Sequence, residues 1–321
     1  MEIKKTDNIE DVLKKLEEGV TEVFNSETYK KYLDFISKFH NYSYTNTLLI
    51  FLQKPDATLC AGYKTWEKMG RHVNKGETGI RIIAPVQYKR EVEQELKDPN
   101  TGEVVKDADG NPWKERVTIK SQGYKIITIF DVGQTSGAEL PEFGVKELQG
   151  DVKDYETIIA ALCKVAPVPV SFEDFEGGAK GYYSHAEKKI VVRKGMSEEQ
   201  TIKTLVHETA HAVLHDKAGA LVDGIGKRIL TKNSIEVEAE SVAYCVCKTL
   251  FGFDTGEYSF SYVTSWSQGK EMQELKESLE VIQKTAEWMM EEIGKAMKNV
   301  MLKGDENNVF GDQVPTMVPQ I

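Results

Sequence analysis

The chain has 321 residues, 40% hydrophobic and 29% charged, with 41 basic against 51 acidic side chains for a net charge of −10. That length exceeds what one hydrophobic core usually organises, so two domains are expected. No apolar run approaches the roughly 20 residues that cross a bilayer, which excludes a membrane-spanning helix.

The charge is unevenly placed. Residues 1–133 carry 21 basic and 21 acidic side chains, whereas residues 134–321 carry 20 and 30. The N-terminus, MEIKKTDNIEDVLKKL, is charged throughout and lacks the apolar centre of a secretory signal. Cys60, Cys163, Cys245 and Cys247 are scattered, with no Cys-x-x-Cys pair. Reduced thiols in a cytoplasmic protein are expected, and no cysteine metal site.

In chain order, residues 8–24 and 27–39 place apolar side chains at helical spacing, among them Val12, Leu16, Val20, Tyr32, Phe35 and Ile36. Leu48 to Leu52 predicts a buried helical turn. From Gly62 to Arg90 seven basic residues face only Glu67 and Glu77, with Tyr63, Trp66 and Tyr88 interleaved. Cations neutralise phosphates and flat rings stack unpaired bases, so this stretch is a candidate single-stranded nucleic-acid surface, with Lys64, Trp66, Arg71 and Lys75 as candidate contacts. A solvated charged face is the plainer reading of composition alone.

Residues 79–90 and 116–130 alternate as strands, and the stretches 98–102 and 107–112 predict turns of an acidic hairpin between them. The second turn resembles a calcium loop only faintly, because its twelfth position is Thr118 rather than a bidentate glutamate. Gly133 to Pro141 suits a linker. The second half is expected to open with a helix over 154–165, followed by a strand at Val168–Phe172, a glycine-rich loop at 177–182 and a strand at Lys189–Val192 that forms the rim of a cleft. The loop lacks Gly-Lys-Ser/Thr, so it is no phosphate cradle. Tyr182 and His185 are candidates to approach an oxyanion, with a structural role the stronger reading.

His207-Glu208-Thr209-Ala210-His211 is the segment that carries chemistry. A helix turns 100° per residue, so imidazoles four apart share a face and reach one ion, with Glu208 beside them. Ser197 with Gln200 predicts a capping box, and Ile202, Leu205, Val206 and Val213 form the buried side. Catalytic zinc takes three protein ligands and leaves a fourth position open. Glu236, on a second helix running through Glu236–Tyr244, is the expected third ligand, and Glu240 on the same face is a group orienting a ligating histidine or an alternative ligand. Glu238 points away from both. His215 lies about 12 Å along the axis from His207, too far to share the ion. Glu208 is the expected general base of zinc-assisted peptide hydrolysis.

Residues 270–298 predict the longest helix, one that closes a domain core rather than a partner-binding coil, and the stretch after Lys303 is expected to be disordered.

The region from Asn41–Asn46 through Pro55, Gly62, Trp66, Gly70-Arg71, Lys75-Gly76-Glu77, Gly79 and Pro85 resembles the N-terminal domain of ArdC-type antirestriction proteins of plasmids and conjugative elements. His207–His211, Glu236–Tyr244 and Phe251–Thr255 are similar to that family's metallopeptidase half, related to the ImmA/IrrE peptidases. The resemblance implies an α+β protein: a single-stranded-DNA-binding domain over residues 1–135, a linker over 136–153, a zincin-like domain over 154–302 and a tail over 303–321. It implies Zn2+ and an antirestriction role on a mobile element, with an unidentified protein substrate. Two other readings stay open: an IrrE-like regulatory protease cleaving a repressor, and an inactive DNA-binding protein with structural zinc.

Overall fold

The computed structural model describes residues 1–4, 6–39, 42–99, 101–140, 155–215, 230–253, 255, 263–268 and 270–309. The fold is α+β in two parts.

The first part begins with α1 (Ile9–Val23) and α2 (Ser26–Ile36). Asn8 and Asp11 close a reciprocal capping box at the start of α1, each side chain accepting the other's backbone N–H at 2.9 Å. The apolar α3 (Tyr44–Gln53) follows. Then come β1 (Cys60–Gly62), α4 (Tyr63–Lys68), β2 (Arg71–Val73), β3 (Ile80–Glu95), β4 (Lys114–Asp131), a 3-10 turn at Val132–Gln134 and β5 (Thr135–Gly137). β1, β4 and β3 form an antiparallel sheet in that order, while β2 pairs with β5.

Side chains of α3 cover the outer edge of β3. Asn46 exchanges two hydrogen bonds with the backbone of Ile83, and Gln53 two with Arg81, so amides stand in for a neighbouring strand. Asp131 accepts N–H groups from Thr58, Leu59 and Gly133, which ties the end of β4 to the loop before β1.

The second part contains α5 (Tyr155–Val165), β6 (Val170–Glu173), β7 (Gly181–Ser184), β8 (Lys189–Arg193), α6 (Glu198–Leu214), α7 (Lys232–Phe251), α8 (Val263–Ser267) and α9 (Met272–Val309). The sheet order is β6-β8-β7, with β6 parallel and β7 antiparallel to β8. α7 ends where Gly252 takes a left-handed conformation at φ 71°, which a side chain rarely adopts.

One apolar core runs through both parts, from Val12, Leu16, Tyr29 and Leu33 to Val242, Tyr244, Leu279 and Ile282. α2 lies on α7. Ser241 Oγ donates to the Val237 carbonyl, so the buried Tyr29 hydroxyl donates to Ser241 Oγ at 2.8 Å. Asp34 receives hydrogen bonds from Tyr244 and Lys248.

Several expectations change. The stretch expected as a linker begins inside β5, because Ser136 and Gly137 pair with His72 and Arg71. A strand at Gly181–Ser184, whose first two residues are expected to close the glycine-rich loop, forms the edge of the second sheet, and the strand expected at the rim, β8, is central. α9 continues to Val309, through the position where a tail is expected to begin. The four cysteines are free. Among the described residues no helix is long and apolar enough to cross a membrane.

Tyr29→Ala removes a ring from the shared core, with an expected loss of about 3–5 kcal/mol. Chemical denaturation followed by tryptophan fluorescence and by metal release should show both signals shifting together; separate transitions would show that the two parts fold independently.

Candidate metal centre

α6 starts from Ser197, whose Oγ accepts the Gln200 N–H at 3.3 Å. The expected capping box is only half made: the Gln200 side chain reaches Lys180 and Thr204 instead of returning to the cap. Ile202, Leu205, Val206, Ala210 and Val213 are buried, which turns the histidine side towards α7 and β7.

His207, His211 and Glu236 converge, their ligand atoms all lying within 4.8 Å of one another. The two Nε2 atoms are 3.0 Å apart, and Glu236 Oε2 is 3.6 Å from that of His207 and 3.7 Å from that of His211. A tetrahedral ion with bonds of about 2.0–2.1 Å places its ligands about 3.3 Å apart, close to these edges. Two neutral imidazoles and a carboxylate suit a divalent ion of borderline softness such as zinc.

The groups behind the ligands are equally ordered. His207 Nδ1 lies 3.2 Å from Glu240 Oε2, off the line of a well-aligned hydrogen bond, and Lys203 Nζ holds the other Glu240 oxygen at 2.6 Å. His215 does not join the ligands. Its Nδ1 is 3.1 Å from His211 Nδ1, its Nε2 is 3.2 Å from Glu238 Oε2, and Ser278 donates to Glu238 Oε1 at 2.7 Å. With Nε2 of His211 aimed at the ion, its Nδ1–H donates to His215, whose Nε2–H donates to Glu238. The signal for this chain is faint in sequence: a third histidine one turn further on, and a glutamate that helical geometry turns away from Glu236.

Electrostatics follow from this crowding. Burial works against charge on His207, but Glu236 and Glu240 outweigh it and raise its pKa to about 9. The same imidazoles hold the Glu236 carboxyl well below its usual range. Burial raises the pKa of Glu208, against the pull of His207 and His211.

The centre opens on a cleft of about 520 Å³ between α6 and α7 on one side and residues 178–185 on the other. Gly181 permits this closeness, because a Cβ there would sit 2.6 Å from Thr204 Cγ2 and 3.0 Å from the Val191 carbonyl oxygen. Tyr182 and His185 line the cleft; the His185 ring packs edge-on against Tyr183, and Tyr182 against Phe175.

The expected nucleic-acid contacts divide. Lys64 and Lys75 are exposed. Trp66 is fully buried, with its indole N–H donated to the Phe130 carbonyl, so it offers no face for a base. Arg71 spends its guanidinium on Thr135 and Ala138, fastening β2 to β5.

Fold and centre together define a metallopeptidase-like domain joined to a smaller α+β domain. Residues 163–287 match the IrrE N-terminal-like domain of the M78 peptidases, and residues 5–126 match the N-terminal domain of anti-restriction factor ArdC. The chain thus carries an ArdC-type N-terminal domain followed by an IrrE-like M78 domain. The crystal structure of metal-free ArdC from plasmid R388 covers 91% of this chain and 98% of that one at a TM-score of 0.50, with 18% identity, a likeness of fold. An uncharacterized protein of Bacillus anthracis is 27% identical over 322 residues, 92% of this chain and 53% of the relative. The chain thus spans about half the length of that relative. It is also 29% identical to Escherichia coli DNA primase TraC over 214 residues, 64% of this chain and 14% of the primase.

Because His207 has a pKa of about 9 in the metal-free protein, it carries a proton near neutral pH that an ion must displace. Zinc titration by calorimetry in buffers of different ionisation enthalpy should show about one proton released per ion, a release that fades as pH rises through that value. In the same titration His215→Ala should weaken binding about 10- to 100-fold; unchanged affinity would show that His215 does not orient His211.

Proposed function

We propose that the chain is a single-stranded-DNA-binding antirestriction protein of a mobile element, acting in the cytoplasm, whose second domain hydrolyses a peptide bond with the help of zinc. The observation that carries the peptidase half is the meeting of His207, His211 and Glu236 beside Glu208 at the floor of an open cleft. A structural ion would sit in a closed site, whereas Glu236 is 45% exposed here.

His207, His211 and Glu236 would hold the ion. Bound zinc supplies polarisation of a carbonyl and a water of lowered pKa. Glu208 takes the proton of the attacking water and passes it to the departing amine, and its raised pKa suits a group that must both accept and return a proton. Glu240 and Lys203 hold His207 in place from behind. β7 presents its outer edge to the cleft, where an extended peptide can add as a further strand. The ArdC N-terminal domain, with exposed Lys64 and Lys75, supports the DNA half of the reading.

Glu208→Gln should lower hydrolysis of a quenched fluorescent peptide library by about 10²- to 10⁴-fold at unchanged zinc content. Full turnover by that variant would remove Glu208 from the mechanism. The intact protein should bind a labelled single-stranded oligonucleotide with an affinity that falls steeply as salt rises; failure to bind at low salt would end the DNA half.

A further inference from the structure

β3 and β4 continue well beyond the sheet as a two-stranded arm, paired from Ile80↔Ile129 out to Glu95↔Lys114. Its charge is sharply divided. The stem, residues 80–90 and 117–130, holds Arg81, Lys89, Arg90, Lys120 and Lys125 and no carboxylate. The head, residues 91–116, holds four basic and eight acidic side chains.

Opposed residues of an antiparallel pair share a face, and like charges directly opposite are unfavourable. The head obeys this rule, setting Glu93 against Arg116, 3.4 Å apart, and Glu95 against Lys114. The stem breaks it, setting Lys89 directly against Lys120. Both lysines are exposed, and among the described residues neither has an ion-pair partner. On the same face Gln87 opposes Gln122 and Pro85 opposes Tyr124, which is 60% exposed. Tyr88, on the other face, has a structural task, because its ring covers the gap at Gly123. Among the described residues the Tyr124 side chain makes no hydrogen bond and no ring contact.

Resting on the DNA half of the function proposed above, we propose that single-stranded DNA lies along this face of the stem: Tyr124 stacks a base, Gln87 and Gln122 bond to base edges or sugar, and Lys89 with Lys120 clasps phosphate. A polyanion turns the lysine pair from a repulsion into a binding site. An unhindered ring favours unpaired bases over a duplex. The acidic head repels phosphate and so marks where the strand leaves the arm.

The test titrates fluorescein-labelled oligothymidylate into the full-length protein at several salt concentrations. Lys89→Ala with Lys120→Ala should lower affinity about tenfold or more and reduce the slope of log affinity against log salt by about 1.4, two phosphates' worth for a single strand. Tyr124→Ala should lose about 5- to 150-fold while Tyr124→Phe binds normally. Lys89→Glu creates an opposite-charge pair with Lys120, so it should weaken DNA binding while leaving the thermal midpoint unchanged or higher, which separates lost binding from lost folding. Reversing Lys97 and Lys106 in the head, at the same cost in net charge as reversing two stem lysines, should not lower affinity. If the wild type binds but the stem variants match it in affinity and slope, the site is elsewhere on the domain and only this inference fails. If the wild type prefers duplex DNA, the role of Tyr124 falls. If it binds no DNA at low salt, the functional reading itself fails.

Discussion

The packing of α7 is the constraint on which the rest depends. This helix is apolar around most of its circumference, with Val237, Ala239, Val242, Ala243, Tyr244, Cys245, Val246 and Cys247 all buried. A helix of that kind has no solvent face and must be enclosed by neighbours. α6, α9, α8 and, from the other domain, α2 supply the enclosure. Towards its N-terminal end it emerges from the core, and there Glu236 and Glu240 meet the histidines of α6. The position of a carboxylate beside two imidazoles is therefore set by packing some distance away.

How much of this was legible in the sequence depended on range. His207, Glu208 and His211 lie within one helical turn and a little more, so their common face follows from the geometry of the helix alone. The choice of Glu236 and Glu240 over Glu238 follows from the same rule, and the structure places the first two towards α6 and buries Glu238. What lay between them was beyond such reasoning. That Glu238 would meet His215 required knowing how two helices cross, and that Ser278 would complete the set required α9.

The errors have the same origin. Trp66 sits in a basic, polar stretch, and nothing local shows that α4 turns its indole inward to the Phe130 carbonyl. Arg71 reads as a free cation until β5 brings Thr135 and Ala138 to its side. β7 has only four residues after a glycine-rich loop, too few for alternation to register, and its partner follows in sequence only after a turn. By contrast, the long hairpin was readable because β3 and β4 alternate over many residues with turn residues between them.

The Tyr29–Ser241 bond and the Asp34 contacts to Tyr244 and Lys248 join residues more than two hundred positions apart. Exchange of one domain for that of a distant relative would leave the buried Tyr29 hydroxyl without its acceptor, a cost of order 1–3 kcal/mol, and the part-exposed Asp34 without its cation, a smaller cost because water reaches it. Inheritance of the two halves is thereby linked: recombination at their junction is penalised unless both sides of this seam travel together, and compensating changes in α2 and α7 should be found in step across lineages.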